Sequence, residues 1–232
     1  MKTSNSFRRV IAVTLMLAVM VPLFMVWACA DSNDIKPGTV VTFGSYEQDN
    51  IIMNGTEPIE WYVLYAKDDQ ALLLSKYALF SGAYNDDPVA TTWDGCSLRS
   101  WMNDVFYEAA FTSQEQKAIL TAIVTAEKNP VHSTSAGDQT EDKVFLLSIS
   151  EAKKFLTDKK LLKGVPTEYA VSNGTRVTPQ DTCWYWLRTP GKTRAEAAYV
   201  TTEIKINQTG VPVSFYDSGV RPAIWVDLTM LM

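Results

Sequence analysis

Cys183-Trp184-Tyr185-Trp186-Leu187-Arg188-Thr189-Pro190-Gly191 and, further on, Gly219-Val220-Arg221-Pro222-Ala223-Ile224-Trp225 are the two segments whose reading decides the fold. Each sets one arginine among large apolar side chains, with a proline close behind it. A guanidinium stays charged and is rarely buried unless a carboxylate, a carbonyl or an aromatic face receives its donors. The pair therefore predicts an organised polar centre inside an aromatic core. Strand alternation puts Trp184 and Trp186 on one face and Tyr185 and Leu187 on the other.

Outward from these segments, the last third of the chain reads as short strands between turns, at 183–187, 197–202, 211–215 and 221–227. Toward the N-terminus, 39–44 is β-like. Ile59, Trp61, Val63 and Tyr65 alternate along a further strand, and Asp68-Asp69 turns the chain into 71–75 as a hairpin. Leu98, Trp101, Met102 and Val105 fall at i, i+3, i+4 and i+7, which predicts a helix with Ser97 as its cap. Thr112-Ser113-Gln114-Glu115 fits a capping box opening a helix through Leu120. The polar stretch 127–142 reads as an exposed loop and 143–148 as a strand, and Ser150 is expected to cap a short helix carrying Ala152, Phe155 and Leu156. No βαβ rhythm and no phosphate-cradling glycine motif is present. The fold class expected is α+β, with a twisted, mainly antiparallel sheet and short flanking helices.

The 232 residues suit a leader, residues 1–30, a linker, 31–38, and one domain, 39–232. Lys2, Arg8 and Arg9 precede an apolar run from Val10 to Trp27 in the layout of an export signal. Ala28-Cys29-Ala30 allows cleavage after Ala30. Ala28-Cys29 also resembles a lipoprotein box, which would place a lipid on Cys29, and the length of the apolar run leaves an uncleaved anchor open. The expected location is the cell exterior or envelope, with membrane contact only through the leader or that lipid. Without the leader, 18 Lys and Arg face 26 Asp and Glu, a net charge of about −8 that repels phosphate backbones and argues against nucleic acid. Cys96 and Cys183 remain as either a disulfide or two buried thiols.

The segments Val41-Thr42-Phe43-Gly44, Pro58-Ile59-Glu60-Trp61 and Ser97-Leu98-Arg99-Ser100-Trp101-Met102-Asn103, followed by the two arginine segments, resemble the bacterial DUF6273 domains of unknown function. Those domains are similar in turn to the C-type-lectin-like fold, in its formylglycine-generating-enzyme (sulfatase-modifying-factor) branch. Pro166-Thr167-Glu168, Trp186-Leu187-Arg188 and Gly219-Val220-Arg221 occupy places that recur there. The resemblance implies a C-type-lectin-like core. It does not carry over the chemistry, because Cys96 and Cys183 do not align with the copper-binding cysteine pair of that branch.

Candidate sites follow. Arg188 and Arg221 suit either an anionic ligand or, as the favoured reading, structural pairing with Glu168 or Glu60 and stacking on tryptophan. Trp61, Trp101 and Trp225 join them as structural residues. Trp93, Trp184 and Trp186 are candidates for a sugar-stacking platform. His132, the single histidine, is expected exposed in its loop, which leaves histidine-based catalysis and zinc little to work with. No carboxylate pair stands out for glycoside hydrolysis. Asn85-Asp86-Asp87 and Asp94 lack a calcium-loop signature. No metal site or cofactor is called for, with calcium and copper left open. The functional expectation is a non-catalytic exported binding module for a glycan or a protein. The alternatives are a redox enzyme using Cys96 and Cys183, and a structural lipoprotein. Oligomeric state is not legible.

Overall fold

Residues 35–230 are described by a computed structural model. The signal-peptide, Ala30 and Cys29 expectations and the first half of the linker, residues 31–34, lie outside the described residues. Strand β1 (Val40–Tyr46) pairs antiparallel with β2 (Glu57–Lys67), which turns into β3 (Gln70–Ser75). The turn is made by Asp68 and Asp69, whose φ angles of 52° and 59° are those a two-residue type I′ hairpin demands. In β1, Gly44 takes φ 70°, and a Cβ there would lie 2.6 Å from the Phe111 ring, so only glycine lets the two approach.

After β4 (Phe80–Ser81) comes a helical run, residues 97–110. It comprises α1 (Ser97–Trp101), a π-helical turn (Met102–Phe106) and α2 (Tyr107–Ala110). The extra residue of a π turn rotates the helix face. Leu98 and Met102 are buried as the 3.6-residue spacing predicts, but Phe106 takes the next core position and Val105 is left 58% exposed. Ser97 is not the cap. Its backbone N–H donates to Asn85 Oδ1 at 3.0 Å, so the helix start is capped from a distant loop.

Helix α3 (Ser113–Ala118) opens on the expected Thr112–Glu115 capping box but stops short of Leu120, because Ile119–Leu120 (β5) joins a sheet. Strands β6 (Ala122–Val124) and β7 (Thr140–Asp142) form a small hairpin. Residues 143–148 do not form a strand of their own, since only Phe145 bridges to Ala223. Helix α4 (Ile149–Phe155) is capped by Ser148 rather than Ser150, in a reciprocal box with Glu151. Then follow α5 (Lys159–Leu162), α6 (Glu168–Ser172), β8 (Tyr185–Pro190), β9 (Glu196–Val200), β10 (Ile206–Pro212), β11 (Gly219–Val220) and β12 (Ala223–Asp227).

These strands build two five-stranded sheets, ordered β1-β2-β3-β12-β5 and β10-β9-β8-β11-β4. Their strand pairings are antiparallel except β11 with β8, so the fold is α+β with mostly antiparallel sheets and few, short helices. The chain crosses between the sheets four times, from β3 to β4, from β4 to β5, from β5 to β8 by way of the β6–β7 hairpin, and from β11 to β12. The last crossing is only Arg221-Pro222 long, and the N–H of Ser75, at the end of β3, donates to the Pro222 carbonyl at 2.9 Å, so the first and last crossings form a double crossing.

Candidate functional site

Arg221 sits at this double crossing and is 1% exposed. Its Nε and Nη2 donate to the Ser75 carbonyl at 3.1 and 2.8 Å, and Nη1 donates to the carbonyl of Leu161 at 2.8 Å and to the Tyr185 hydroxyl at 3.3 Å. The guanidinium lies 5.0 Å from the Tyr185 ring centre. Neither Glu60 nor Glu168 pairs with it, and it makes no ion pair among the described residues. Carbonyl oxygens and a tyrosine face replace the expected carboxylate and tryptophan.

Arg188, on β8, is 4% exposed and does have a carboxylate partner, but it is Glu151 of α4. Nη2 donates to Glu151 Oε1 at 3.0 Å and Nη1 to the Leu146 carbonyl at 2.8 Å. Glu151 also accepts from the backbone N–H of Ser148 at 2.8 Å, so one carboxylate caps the helix and ties it to the sheet. Sequence spacing held no sign of this pairing across 37 residues. Both arginines are spent on internal partners, which leaves neither free to clamp an anion.

The other structural candidates fall as follows. Trp61 is fully buried and its indole N–H donates to the Phe43 carbonyl at 2.7 Å. Trp101 stacks on Phe80 at 4.1 Å, and Trp225 meets Tyr65 edge-on at 5.8 Å. Glu60 pairs with Lys76 at 2.8 Å, while Glu168 is exposed in the first turn of α6. Sequence reasoning missed a further centre: buried Asp142 accepts from the Trp93 indole at 2.8 Å and from Arg99 Nε at 2.7 Å. His132 is half-buried rather than exposed, and Asn129 of the same loop is buried, with Nδ2 bound to the Pro190 carbonyl at 2.8 Å and to the Gln208 carbonyl at 2.7 Å.

Cys96 and Cys183 are both free and buried, which is the two-thiol reading rather than the disulfide one. Cys96 Sγ–H points to the Trp93 carbonyl, whereas Cys183 lies against Gly164 and Gly219. Burial pushes each thiol up to about 12. Thiols so shifted are poor metal ligands and poor nucleophiles near neutral pH.

The three platform tryptophans part company. Trp93 and Trp186 are packed inside, 4% and 1% exposed. Trp184, just before β8, is half-buried and opens onto a groove of about 600 Å³ at one end of the second sheet. Tyr199 of β9 meets Trp184 edge-on at 5.3 Å, and Phe215 and Tyr216 extend the aromatic lining from the β10–β11 loop, 47% and 74% exposed. Hydroxyl groups of Thr178, Thr201, Thr202 and Ser214 line the same groove. Its charged members are Arg176, Glu203 and Asp217, with Arg176 Nε 3.1 Å from Asp217 Oδ2. Burial, then the nearby Glu203 charge, pushes the Tyr199 phenol up, and the Thr201 hydroxyl holds the Glu203 carboxyl below its usual range. Phe215 and Tyr216 carried no sequence signal of a site, because exposure of a loop aromatic is decided by the packing beneath it.

A second hollow, beside Arg188, Trp93 and Glu127, has about 10 Å³ and is no larger than a single water needs. The calcium-type residues do not gather: Asn85 caps α1, and Asp94 accepts from the Thr92 hydroxyl. Carboxylate oxygens of Glu47, Asp49 and Glu57 do lie within 4.8 Å of one another. Each is engaged in shaping its loop, Glu47 and Asp49 through the Ile51 N–H and Glu57 through the Gln48 N–H.

The sequence profile of a family described as a domain of unknown function, DUF6273, matches residues 68–228. The chain belongs to this family. The match takes in both arginine segments and the 97–103 helix start, while β1 and β2 precede it. No curated protein and no solved structure matches the chain. Among the described residues no helix is long and apolar enough to cross a membrane.

Proposed function

We propose that this DUF6273 domain is an exported, non-catalytic binding module that takes a glycan in the groove at Trp184, on a core of C-type-lectin-like type. The observation that carries the reading is the composition of that groove. Four aromatic side chains and four hydroxyl-bearing ones share one open concavity. Sugar rings present an apolar face and a rim of hydroxyls, and a site made of aromatic faces bordered by hydroxyl groups answers both. The groove's size suits a short oligosaccharide rather than a deep-buried small molecule. Export rests on the basic stretch and apolar run of residues 2–27, and the lectin-like assignment on the recurrence of the Gly-x-Arg and aromatic-arginine strands in the same order.

The redox alternative needs a pair of accessible, readily ionised thiols, whereas Cys96 and Cys183 have separate buried surroundings and strongly raised pKa values. Calorimetric titration of the full chain with soluble oligosaccharides drawn from bacterial and plant cell walls tests the glycan reading. The expected result is saturable binding to at least one of them that Tyr216→Ala weakens by about tenfold or more. Binding by none of them, or binding indifferent to Tyr216, would contradict it.

A further inference from the structure

We infer that the groove prefers sugars carrying a free amine and disfavours anionic ones, with Glu203 receiving the ammonium. This rests on the glycan reading and narrows it to a class of ligand. Of the three charged side chains in the groove, two cancel: Arg176 is held by Asp217 through the side-chain pair at 3.1 Å and again by its backbone N–H on the Asp217 carbonyl at 2.9 Å. The Asp217 carboxylate offsets the Arg176 charge, so the pair offers an anionic ligand no net positive charge.

Glu203 is the remaining charge. It sits exposed in the turn between β9 and β10 and makes no ion pair among the described residues. The Thr202 hydroxyl donates to its Oε1 at 3.4 Å and the Thr201 hydroxyl also engages it, while the carboxylate stays exposed to solvent with acceptor capacity to spare. Lys205, two residues on, stands outside the groove lining and helps keep Glu203 ionised. Glu203 lines the same groove as Trp184, Tyr199, Phe215 and Tyr216. A carboxylate beside aromatic faces attracts an ammonium twice, by its charge and by the negative face of the rings. An ammonium has no such partner at Arg176, so the selectivity concentrates at one residue. The acidic chain as a whole adds a field of the same sign.

Because Glu203 is in water, the effect is one of selectivity: about fivefold, and smaller at high salt. The test is a calorimetric comparison of the full chain with glucosamine oligomers, their N-acetylated counterparts and galacturonate oligomers of equal length, at a pH low enough to protonate the amine. The expected order is glucosamine tightest and galacturonate weakest, with Glu203→Gln bringing the glucosamine affinity down to that of the N-acetylated oligomer. Equal affinities across the series, or an amine preference that survives Glu203→Gln, would overturn the inference and leave the glycan reading standing. Failure of all three to bind would overturn the inference, and failure of the wider set of cell-wall oligosaccharides as well would overturn the glycan reading with it.

Discussion

Trp184 and Trp186 lie two residues apart, their ring centres 4.7 Å apart, yet their surroundings differ. Trp186 is sealed between the strands and Tyr84, its indole N–H on the Gly82 carbonyl at 3.0 Å. Trp184 stands just before β8, half-buried against the core and Tyr199, and the part of its ring left open lines a groove. The same division separates the guanidinium groups. Arg188 and Arg221 hold the sheets together from inside, whereas Arg176, on the groove, is 75% exposed along its side chain and pairs where water screens it. One end of the second sheet is therefore committed to stability and the other is available for a ligand.

The sharpest way to break that division is at the committed end. Arg221→Ala strips the Ser75 and Leu161 carbonyls of their donor inside a dry junction, and unsatisfied buried acceptors cost about 1–3 kcal/mol each. A loss of about 4 kcal/mol in urea unfolding is expected, enough to unfold a domain of ordinary stability. A loss under about 1 kcal/mol would mean that the double crossing does not depend on its arginine.

Arg188→Ala should cost less, about 2–3 kcal/mol by the same assay. Its partner Glu151 is 27% exposed along its side chain and can recover hydration, and the strand's backbone bonds remain. Should Arg188→Ala prove the worse of the two, the ranking of carbonyl-held over carboxylate-held guanidinium would be reversed.

The thiols give a smaller, pH-dependent test of the same interior. In the folded chain Cys96 and Cys183 are both raised to about 12, above the ordinary thiol range they recover on unfolding. A group raised on folding contributes stability that is intact below its unfolded pKa and is lost as pH climbs from there toward the folded value. Melting temperature should therefore fall from about pH 9 upward, and Cys183→Ala should blunt the fall. Iodoacetamide should leave both thiols unmodified at neutral pH until denaturant is added, and rapid labelling of the native chain would place at least one of them at the surface.

Much of the scaffold was legible because it is local. The Asp68-Asp69 turn and the Thr112 capping box each depend on neighbours a few residues away and formed as read, and the strand at 59–65 formed too, with its alternation held through Trp61 and broken by a bulge between Val63 and Tyr65. What escaped depends on distance in sequence. The π turn that moved Phe106 into the core, the Asn85 cap on α1 and the Glu151 partner of Arg188 are choices made by packing against remote segments. The candidate site was half legible for the same reason. Trp184 was singled out along with Trp93 and Trp186, since composition marks aromatics. Which of them is uncovered is decided by where strands start and loops pass.

The most direct test is Trp184→Ala, measured at once by calorimetric titration with whichever oligosaccharide the parent chain binds and by thermal melting. The division of the sheet predicts that binding falls at least tenfold, about 1.4 kcal/mol or more, while the melting temperature stays within a few degrees of the parent. A variant that binds as the parent does, or one that loses binding only because it no longer folds, would contradict the assignment of this end of the sheet to a ligand.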